Sequence, residues 1–220
     1  MPLRDVIFDL DGTLVDSRPG IDRAAATAVA RVWPGRAAVG LAALIGPPIR
    51  AMLATAYPDA SAAELDALVR EFRAAYDGGD WRVFEPYPGL AEVLDAIDAA
   101  GGRAFLVTNK RHAATERILA HLGVSERFTA MRAPDDPATP WSGKADALND
   151  LVDRCSVPRE AAAYVGDTPD DREAARLAGL PFVAAAYGYG TAGSDPDGTD
   201  LAVLGSLSGL ARLLPKEGGT

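Results

Sequence analysis

The sequence has almost none of the residues from which disulfides and soft-metal sites are built. Its 220 residues include one cysteine, Cys155, and two histidines, His112 and His121. A single cysteine cannot form an intrachain disulfide, and a zinc site normally takes several Cys or His ligands. These shortages exclude a disulfide scaffold and argue against a Cys-based or His-based metal centre. A reducing, cytoplasmic setting is therefore expected.

The chain also has fewer basic than acidic residues, and it has no long hydrophobic run. The chain has 22 Lys and Arg against 31 Asp and Glu, a net charge of −9. Nucleic acids and acidic membrane surfaces are bound through basic faces, so neither is an expected partner. No apolar run approaches the ~20 residues of a membrane span. The first predicted strand begins almost at once, which leaves no room for a signal peptide.

Short apolar runs alternate with segments of helical period, as in a parallel sheet covered by helices. Buried strands are predicted at 5–10, 103–109, 162–167 and 181–187, with a weaker one at 200–205. Helices are predicted within 87–102, 114–123, 143–155, 169–179 and 208–215. The expected fold class is α/β, with a three-layer core.

The interval between the first strand and the rest of this pattern contains no convincing strand. Three helical stretches fit it, at 20–33, 48–57 and 61–77, and the last opens with a capping box from Ser61 to Glu64. We therefore predict a core domain formed by 1–16 and 86–220, with a helical domain, 17–85, inserted into it.

Polar residues stand where the predicted strands end. Asp9 and Asp11 follow the first strand, Thr108 and Asn109 the second, and Asp167 the third. In an open parallel sheet, ligands bind beyond the carboxyl ends of the strands. Taken singly, an Asp-Gly pair is a common turn and a threonine after a strand is a common helix cap. Several such ends converging on one edge indicate a site.

The residue types at these ends indicate a particular chemistry. Carboxylates without His or Cys are the ligands that Mg²⁺ prefers, which makes Asp9, Asp11 and Asp167 a predicted magnesium site. Lys144 opens a helix between the second and third strands, and its ammonium suits phosphoryl oxygens, as does the Thr108 hydroxyl. A metal on one side and a lysine on the other would clamp a phosphoryl group in transfer.

Four segments in this order resemble the motifs of the haloacid dehalogenase superfamily. They are DLDGTLVDS (9–17), LVTNK (106–110), the lone Lys144 and GDTPDD (166–171). The layout, including YPGLAEVLDAIDAAGG (87–102), resembles the phosphoglycolate phosphatase-like branch. The resemblance implies a Rossmann-like core with an inserted α-helical cap domain. It also implies a Mg²⁺-dependent phosphatase that acts on a small phosphorylated metabolite.

The resemblance further implies a role for each motif residue. Asp9 would attack phosphorus and form an aspartyl-phosphate, and Asp11 would act as general acid and then general base. Thr108 and Asn109 would hold the phosphoryl oxygens, while Lys144 would steady Asp9 and the phosphoryl charge.

The metal ligands implied by the resemblance are Asp9, Asp167 and the carbonyl of Asp11, with Asp171 in support. In the cap domain, Arg18 and Arg50 are weaker predictions, as contacts to a substrate carboxylate or second phosphate.

Other functions stay open at this point. A phosphomutase of the β-phosphoglucomutase type, a nucleotidase or a pyrophosphatase could use the same scaffold, although GDTPDD favours hydrolysis. A dehalogenase is disfavoured because it needs no Mg²⁺ and lacks an acid at the position of Asp11. A non-catalytic phosphate-binding protein would be expected to have lost the nucleophile or a metal ligand. A monomer or homodimer is expected.

GYGTAG (188–193) also fits the GxGxxG pattern of dinucleotide-binding loops. It is followed by Asp, Pro and Gly instead of a helix, so we predict a loop near the active site.

Overall fold

The computed structural model describes residues 3–136, 141–190 and 198–215. The chain divides into two compact units. Met1–Val15 and Pro86–Thr220 form the core unit, and Asp16–Glu85 forms the helical unit.

The core unit is built on a six-stranded sheet in which every neighbouring pair is parallel. The strands of the described residues are β1 (Asp5–Phe8), β2 (Val15–Asp16), β3 (Glu85–Pro86), β4 (Ala104–Val107), β5 (Phe128–Arg132), β6 (Ala162–Gly166), β7 (Phe182–Ala185) and β8 (Ala202–Leu204). Their order is β5-β4-β1-β6-β7-β8, while β2 and β3 form a separate two-stranded sheet. The predicted α/β class is confirmed.

Helices fill the connections. The α-helices of the described residues are α1 (Arg18–Val32), α2 (Ile49–Ala56), α3 (Ala62–Gly78), α4 (Leu90–Ala99), α5 (His112–Leu122), α6 (Lys144–Arg154) and α7 (Pro169–Leu177). Single 3₁₀ turns lie at Ala42–Leu44, Asp80–Arg82, Ser125–Arg127 and Arg159–Ala161, and a longer 3₁₀ helix at Leu207–Arg212. None of the helices in these ranges is both long and apolar enough to cross a bilayer.

Several elements differ from the sequence prediction, among them the two-residue strands β2 and β3, which were not predicted. The strand β5 was not predicted, because it is an edge strand whose residues are mostly half-buried and give no continuous apolar run. The closing helix predicted at 208–215 is a 3₁₀ helix over Leu207–Arg212 instead.

The central strands are apolar because helices cover both faces of the sheet. Every residue of β1, β4, β6 and β7 is buried. In the register of the sheet, Phe8 of β1 is level with Leu106 of β4 and with Val165 of β6. The residues that follow these strands therefore emerge side by side at one edge of the sheet.

The helical unit packs α1 against α3. Small residues of α1, such as Ala24 and Ala28, are fully buried, as is Leu68 of α3, and this allows the two helices to approach closely. The predicted capping box opens α3: the Ser61 hydroxyl accepts from the Glu64 amide, and the Glu64 carboxylate accepts from the Ser61 amide at 2.8 Å.

The capping box gives a stability test of the helical unit. We expect Ser61→Ala to lower the free energy of unfolding by about 1 kcal/mol, because it removes the acceptor for an otherwise unpaired helix amide. Ser61→Asp keeps an acceptor at the same place and is the matched control. Chemical denaturation followed by circular dichroism measures both. Equal stability of the alanine and aspartate variants would contradict the assignment.

Candidate active site

Three of the predicted site residues stand at the carboxyl ends of adjacent strands. Asp9 follows β1, and β1 lies between β4, which leads to Thr108, and β6, which leads to Asp167. The amide of Asp9 donates to the carbonyl of Val165 at 2.9 Å and so extends the ladder between β1 and β6. The sheet therefore fixes the backbone from which the Asp9 side chain projects.

Three carboxylates are buried together at this edge. Oxygen atoms of Asp9, Asp167 and Asp171 lie within 4.8 Å of one another, and these residues are 3%, 0% and 0% exposed. Like charges at this distance, away from water, raise one another's free energy strongly. Lys144, itself buried at the start of α6, forms ion pairs with two of the three.

Asp171 is the carboxylate that Lys144 satisfies. Its Oδ1 accepts from Lys144 Nζ at 2.6 Å, and the Tyr164 hydroxyl lies 3.0 Å from the same oxygen. Its Oδ2 accepts from the amide and the hydroxyl of Thr168, at 3.0 and 2.6 Å. Burial alone would raise the pKa of Asp171, but the Lys144 ammonium and the Thr168 donors hold that pKa below its usual range. With both oxygens engaged, Asp171 serves as an anchor for the lysine.

The negative charge of Asp9 is compensated less completely than that of Asp171. Asp9 Oδ1 lies 3.3 Å from Lys144 Nζ but outside hydrogen-bond geometry, and it has no hydrogen-bond partner among the described residues. Burial raises the pKa of Asp9 to about 7; Lys144 opposes the rise, and Asp171 and Asp11 add to it. A buried carboxylate oxygen in this state fits a ligand for a cation.

Asp167 is oriented by a neighbouring loop. Its Oδ2 accepts from the amides of Tyr189 and Gly190 at 2.9 and 3.2 Å, and its Oδ1 lies 3.5 Å from the Thr13 hydroxyl. Burial, together with the charges of Asp171 and Asp9, raises the pKa of Asp167 to about 8, although the amide of Tyr189 and the charge of Lys144 oppose the rise.

The donor set fits a hard divalent cation. If all three acids are ionised, three carboxylates against one ammonium leave two negative charges uncompensated. All the available ligand atoms are oxygens, the type that Mg²⁺ prefers. Because Asp171 is occupied by chain donors, Asp9 and Asp167 are the two carboxylates of this cluster able to face an ion.

A glycine joins the first strand end to this cluster. Gly12 has a φ of 84°, the left-handed region, and a Cβ there would collide with the carboxyl group of Asp167. Only glycine therefore lets the chain turn directly after Asp11 and pass over Asp167.

The side chain of Asp11 is held by Lys110, which belongs to the LVTNK motif but to which the sequence analysis gave no role of its own. Lys110 Nζ donates to both carboxylate oxygens of Asp11 at 2.9 Å, and both side chains are largely buried. Lys110 stands two residues after Thr108, whose hydroxyl accepts from the Lys110 amide at 3.2 Å. The sequence signal that could have identified this role is the position of Lys110 directly after Thr108 and Asn109 in the second motif.

The other predicted residues of the second motif also lie at this edge. Thr108 is buried, and its amide donates to the Arg132 carbonyl at the end of β5 at 3.1 Å. Asn109 follows it and is partly buried. The strand β5, absent from the sequence prediction, thus supports the position of Thr108.

Tyr164 is a second residue that the sequence did not reveal. Its hydroxyl lies 3.0 Å from both the Val107 carbonyl and the Asp171 carboxylate. Burial raises the pKa of Tyr164 well above its ordinary value, so the hydroxyl remains protonated and can donate to either. A tyrosine inside an apolar strand looks like a core residue, and only its long-range partners reveal a link to the site.

The two arginines predicted as substrate contacts lie in the helical unit and are paired there. Arg18 donates to both carboxylate oxygens of Asp16 at 3.0 and 2.6 Å, and Arg50 pairs with Asp66. Their proposed role in substrate binding stays a prediction.

The raised pKa values of Asp9 and Asp167 give a pH prediction. The metal-free folded protein keeps protons on these groups at pH values where the unfolded chain, with a pKa of 3.8, has lost them. Their contribution to stability is therefore present below about pH 4 and is lost as the pH rises through 7 to 8. A Mg²⁺ ion bound here would compete with these protons, so the gain in Tm from Mg²⁺ should be larger at pH 8.5 than at pH 5.5.

Thermal unfolding of EDTA-treated protein, with and without added Mg²⁺, measures this difference at the two pH values. Asp167→Asn, which removes one charge from the cluster, should reduce the Mg²⁺ effect at pH 8.5. An equal gain at both pH values in the wild type would contradict the proton competition.

Known proteins match this chain over most of its length. The model of the haloacid dehalogenase-like hydrolase family matches residues 6–185. A phosphoglycolate phosphatase of Xylella fastidiosa is 36% identical over 189 residues, which are 84% of this chain and 81% of that protein. An N-acetylmuramic acid 6-phosphate phosphatase of Pseudomonas aeruginosa is 32% identical over 193 residues, or 86% and 84% of the two chains.

The fold is shared with solved structures. A crystal structure described as a predicted phosphoglycolate phosphatase from Haemophilus somnus matches with a TM-score of 0.82 at 24% identity, over 96% of this chain and 97% of that one. With the family model and the curated relatives, this similarity leads to one assignment. The chain belongs to the haloacid dehalogenase-like hydrolases.

Proposed function

We propose that this hydrolase is a Mg²⁺-dependent phosphatase that cleaves a small phosphomonoester through an aspartyl-phosphate on Asp9. The observation that carries the proposal is the buried cluster itself. Asp9 presents a carboxylate oxygen with no hydrogen-bond partner among the described residues, next to Lys144 and to Asp167. A phosphoryl group brings the negative oxygens that a lysine and a bound cation stabilise.

The substrate class follows from the relatives. Two of them are named for the phosphoesters of organic acids, phosphoglycolate and N-acetylmuramic acid 6-phosphate. We expect this enzyme to prefer a phosphomonoester of a small organic acid in the same way. The helical unit would act as a cap that supplies substrate contacts, and Arg18 and Arg50 belong to it. A cytoplasmic enzyme, monomeric or homodimeric, remains the expectation.

In the first step, a carboxylate oxygen of Asp9 attacks phosphorus while the bond from phosphorus to the leaving oxygen breaks. Asp11, which has to be protonated for this step, gives its proton to that oxygen, which departs as an alcohol and leaves Asp11 as a carboxylate. Lys144, which is 3.3 Å from Asp9, and the Thr108 hydroxyl hold the phosphoryl oxygens. The metal, when bound by Asp9, Asp167 and the Asp11 carbonyl, would supply positive charge to the phosphoryl group.

In the second step, a water molecule attacks the phosphorus of the aspartyl-phosphate. Asp11 takes the proton of this water, the bond between phosphorus and the Asp9 oxygen breaks, and inorganic phosphate leaves. Lys110 would hold the Asp11 carboxylate for this second transfer, because its ammonium group donates to both carboxylate oxygens. The Asp11 carboxyl group thus acts as acid and then as base.

The nucleophile is tested by Asp9→Asn. We expect phosphate release from phosphoglycolate and from p-nitrophenyl phosphate to fall at least ~1,000-fold, because an amide oxygen does not attack phosphorus effectively. Asp170→Asn is the control, since Asp170 is an exposed acid in the first turn of α7 and should leave activity unchanged. Equal phosphate release by the wild type and Asp9→Asn would remove the proposal.

The role of Lys110 is tested separately. Lys110→Met should lower kcat about 10-fold or more with a smaller change in KM, because it releases the Asp11 carboxylate without touching the phosphoryl site. Lys110→Arg keeps a cation and should recover part of kcat. A kcat of the methionine variant equal to that of the wild type would show that the ion pair has no part in proton transfer.

A further inference from the structure

The segment from Tyr187 to Gly190 follows β7 and contains the first three residues of the GYGTAG motif, 188–190. Residues 191–193 of the motif lie outside the described residues, but the first part of it is fully described. The sequence left this motif without a function beyond a loop near the site. The segment's side-chain hydroxyls and two of its amides hydrogen-bond to the two strand ends that carry Asp11 and Asp167, and the Tyr187 ring also packs against Tyr87.

Backbone amides of this segment bind the Asp167 side chain. The amides of Tyr189 and Gly190 both donate to Oδ2, at 2.9 and 3.2 Å. Two donors on one oxygen fix the rotation of the carboxylate and direct Oδ1 away from the loop. A dinucleotide-binding loop would keep its amides for phosphate, whereas these amides are committed to an aspartate.

The two glycines of the segment are required by close approach. A Cβ on Gly190 would fall far inside contact distance of the Asp167 carbonyl oxygen. A Cβ on Gly188 would do the same to the carbonyl oxygen of Gly12. Both obstacles are backbone atoms, which cannot turn aside as a flexible side chain can. Any larger residue must therefore push the loop away from Asp167 or from the turn after Asp11.

The two tyrosines hold the other strand end. The hydroxyl of Tyr187 donates to the carbonyl of Thr13 at 2.9 Å, and that of Tyr189 donates to the carbonyl of Val15 at 3.1 Å. Thr13 in turn places its own hydroxyl 3.5 Å from Asp167 Oδ1. One short loop thus ties residues 12–15 to Asp167.

We propose that residues 187–190 are a positioning element of the metal site, which sets the Asp167 carboxylate against the loop of Asp9 and Asp11. The inference rests on the proposed function in one respect, since it takes Asp167 as a ligand of Mg²⁺. It predicts that damage to this loop weakens Mg²⁺ binding specifically. None of its four residues would touch the ion or the substrate.

The test compares two glycine variants that suffer the same kind of steric clash. Gly190→Ala should weaken Mg²⁺ binding at least 10-fold, measured by calorimetric titration of EDTA-treated protein and by the gain in Tm from Mg²⁺. Gly102→Ala is the matched control. Its Cβ would collide with the carbonyl oxygen of Arg4 at the opposite end of the sheet. It should lower Tm without Mg²⁺ but leave the Mg²⁺ Kd within about twofold of the wild type.

A milder variant keeps the test valid if Gly190→Ala does not fold. The double change Tyr187→Phe and Tyr189→Phe removes only the two hydroxyls, and we expect the Mg²⁺ Kd to rise about threefold or more. Wild-type affinity in this variant and in any folded Gly190→Ala protein would overturn the inference, as would equal weakening in Gly102→Ala. Failure of the wild type to bind Mg²⁺ would overturn both this inference and the metal of the proposed function.

Discussion

The central feature of the structure is that three buried carboxylates, those of Asp9, Asp167 and Asp171, lie around one ammonium group, that of Lys144. Lys144 Nζ lies 2.6 Å from Asp171 Oδ1 and 3.3 Å from Asp9 Oδ1, so its ion pair with Asp171 is the closer of the two. Asp9 and Asp167 are left in a buried place with raised pKa values, a state that costs free energy unless a proton or a cation is bound. Such strain at one edge of an otherwise apolar sheet is typical of a functional site.

The fold is what makes this arrangement possible. Parallel strands bring their carboxyl ends to one edge of the sheet. In the order β4-β1-β6, Asp9 after β1 therefore lies between Thr108 after β4 and Asp167 after β6. Because β1 is buried and paired on both sides, the charged group after it is held by a rigid support. Asp171 lies in the first turn of α7. Its carboxylate binds Lys144 through Oδ1 and takes part through Oδ2 in the capping box with Thr168.

Much of the site could be predicted from local sequence. A buried apolar run followed by an acid places Asp9 and Asp167 at neighbouring strand ends, where the structure has them together. The magnesium ion and the phosphoryl transfer inferred from their chemistry remain proposals. The capping box of α3 is equally local and was predicted correctly. Relations between distant segments could not be predicted. Lys110 binds Asp11, and Tyr164 binds Asp171, through side-chain contacts that the hydrophobic periodicity of the sequence does not predict.

The same reason explains the missing strand and the loop after β7. The strand β5 is at the edge of the sheet and half-exposed, so its composition resembles a loop and only pairing with β4 defines it. In the segment 187–190, glycines required by a neighbouring backbone look identical to glycines of a dinucleotide-binding loop. Whether a position requires glycine depends on which atoms approach it in the folded chain, and the sequence alone does not show those atoms.

The release of protons on metal binding is the most direct test of the central claim, because a cation bound by Asp9 and Asp167 would displace the protons that these groups hold in the metal-free protein. Mg²⁺ can be titrated into the protein by calorimetry at pH 7.0 in buffers of different ionisation enthalpy. With Asp9 and Asp167 having pKa values of about 7 and about 8, the release of between one and two protons is predicted for each ion bound at pH 7.0. A heat of binding that does not depend on the buffer would mean that no proton leaves, and would contradict it.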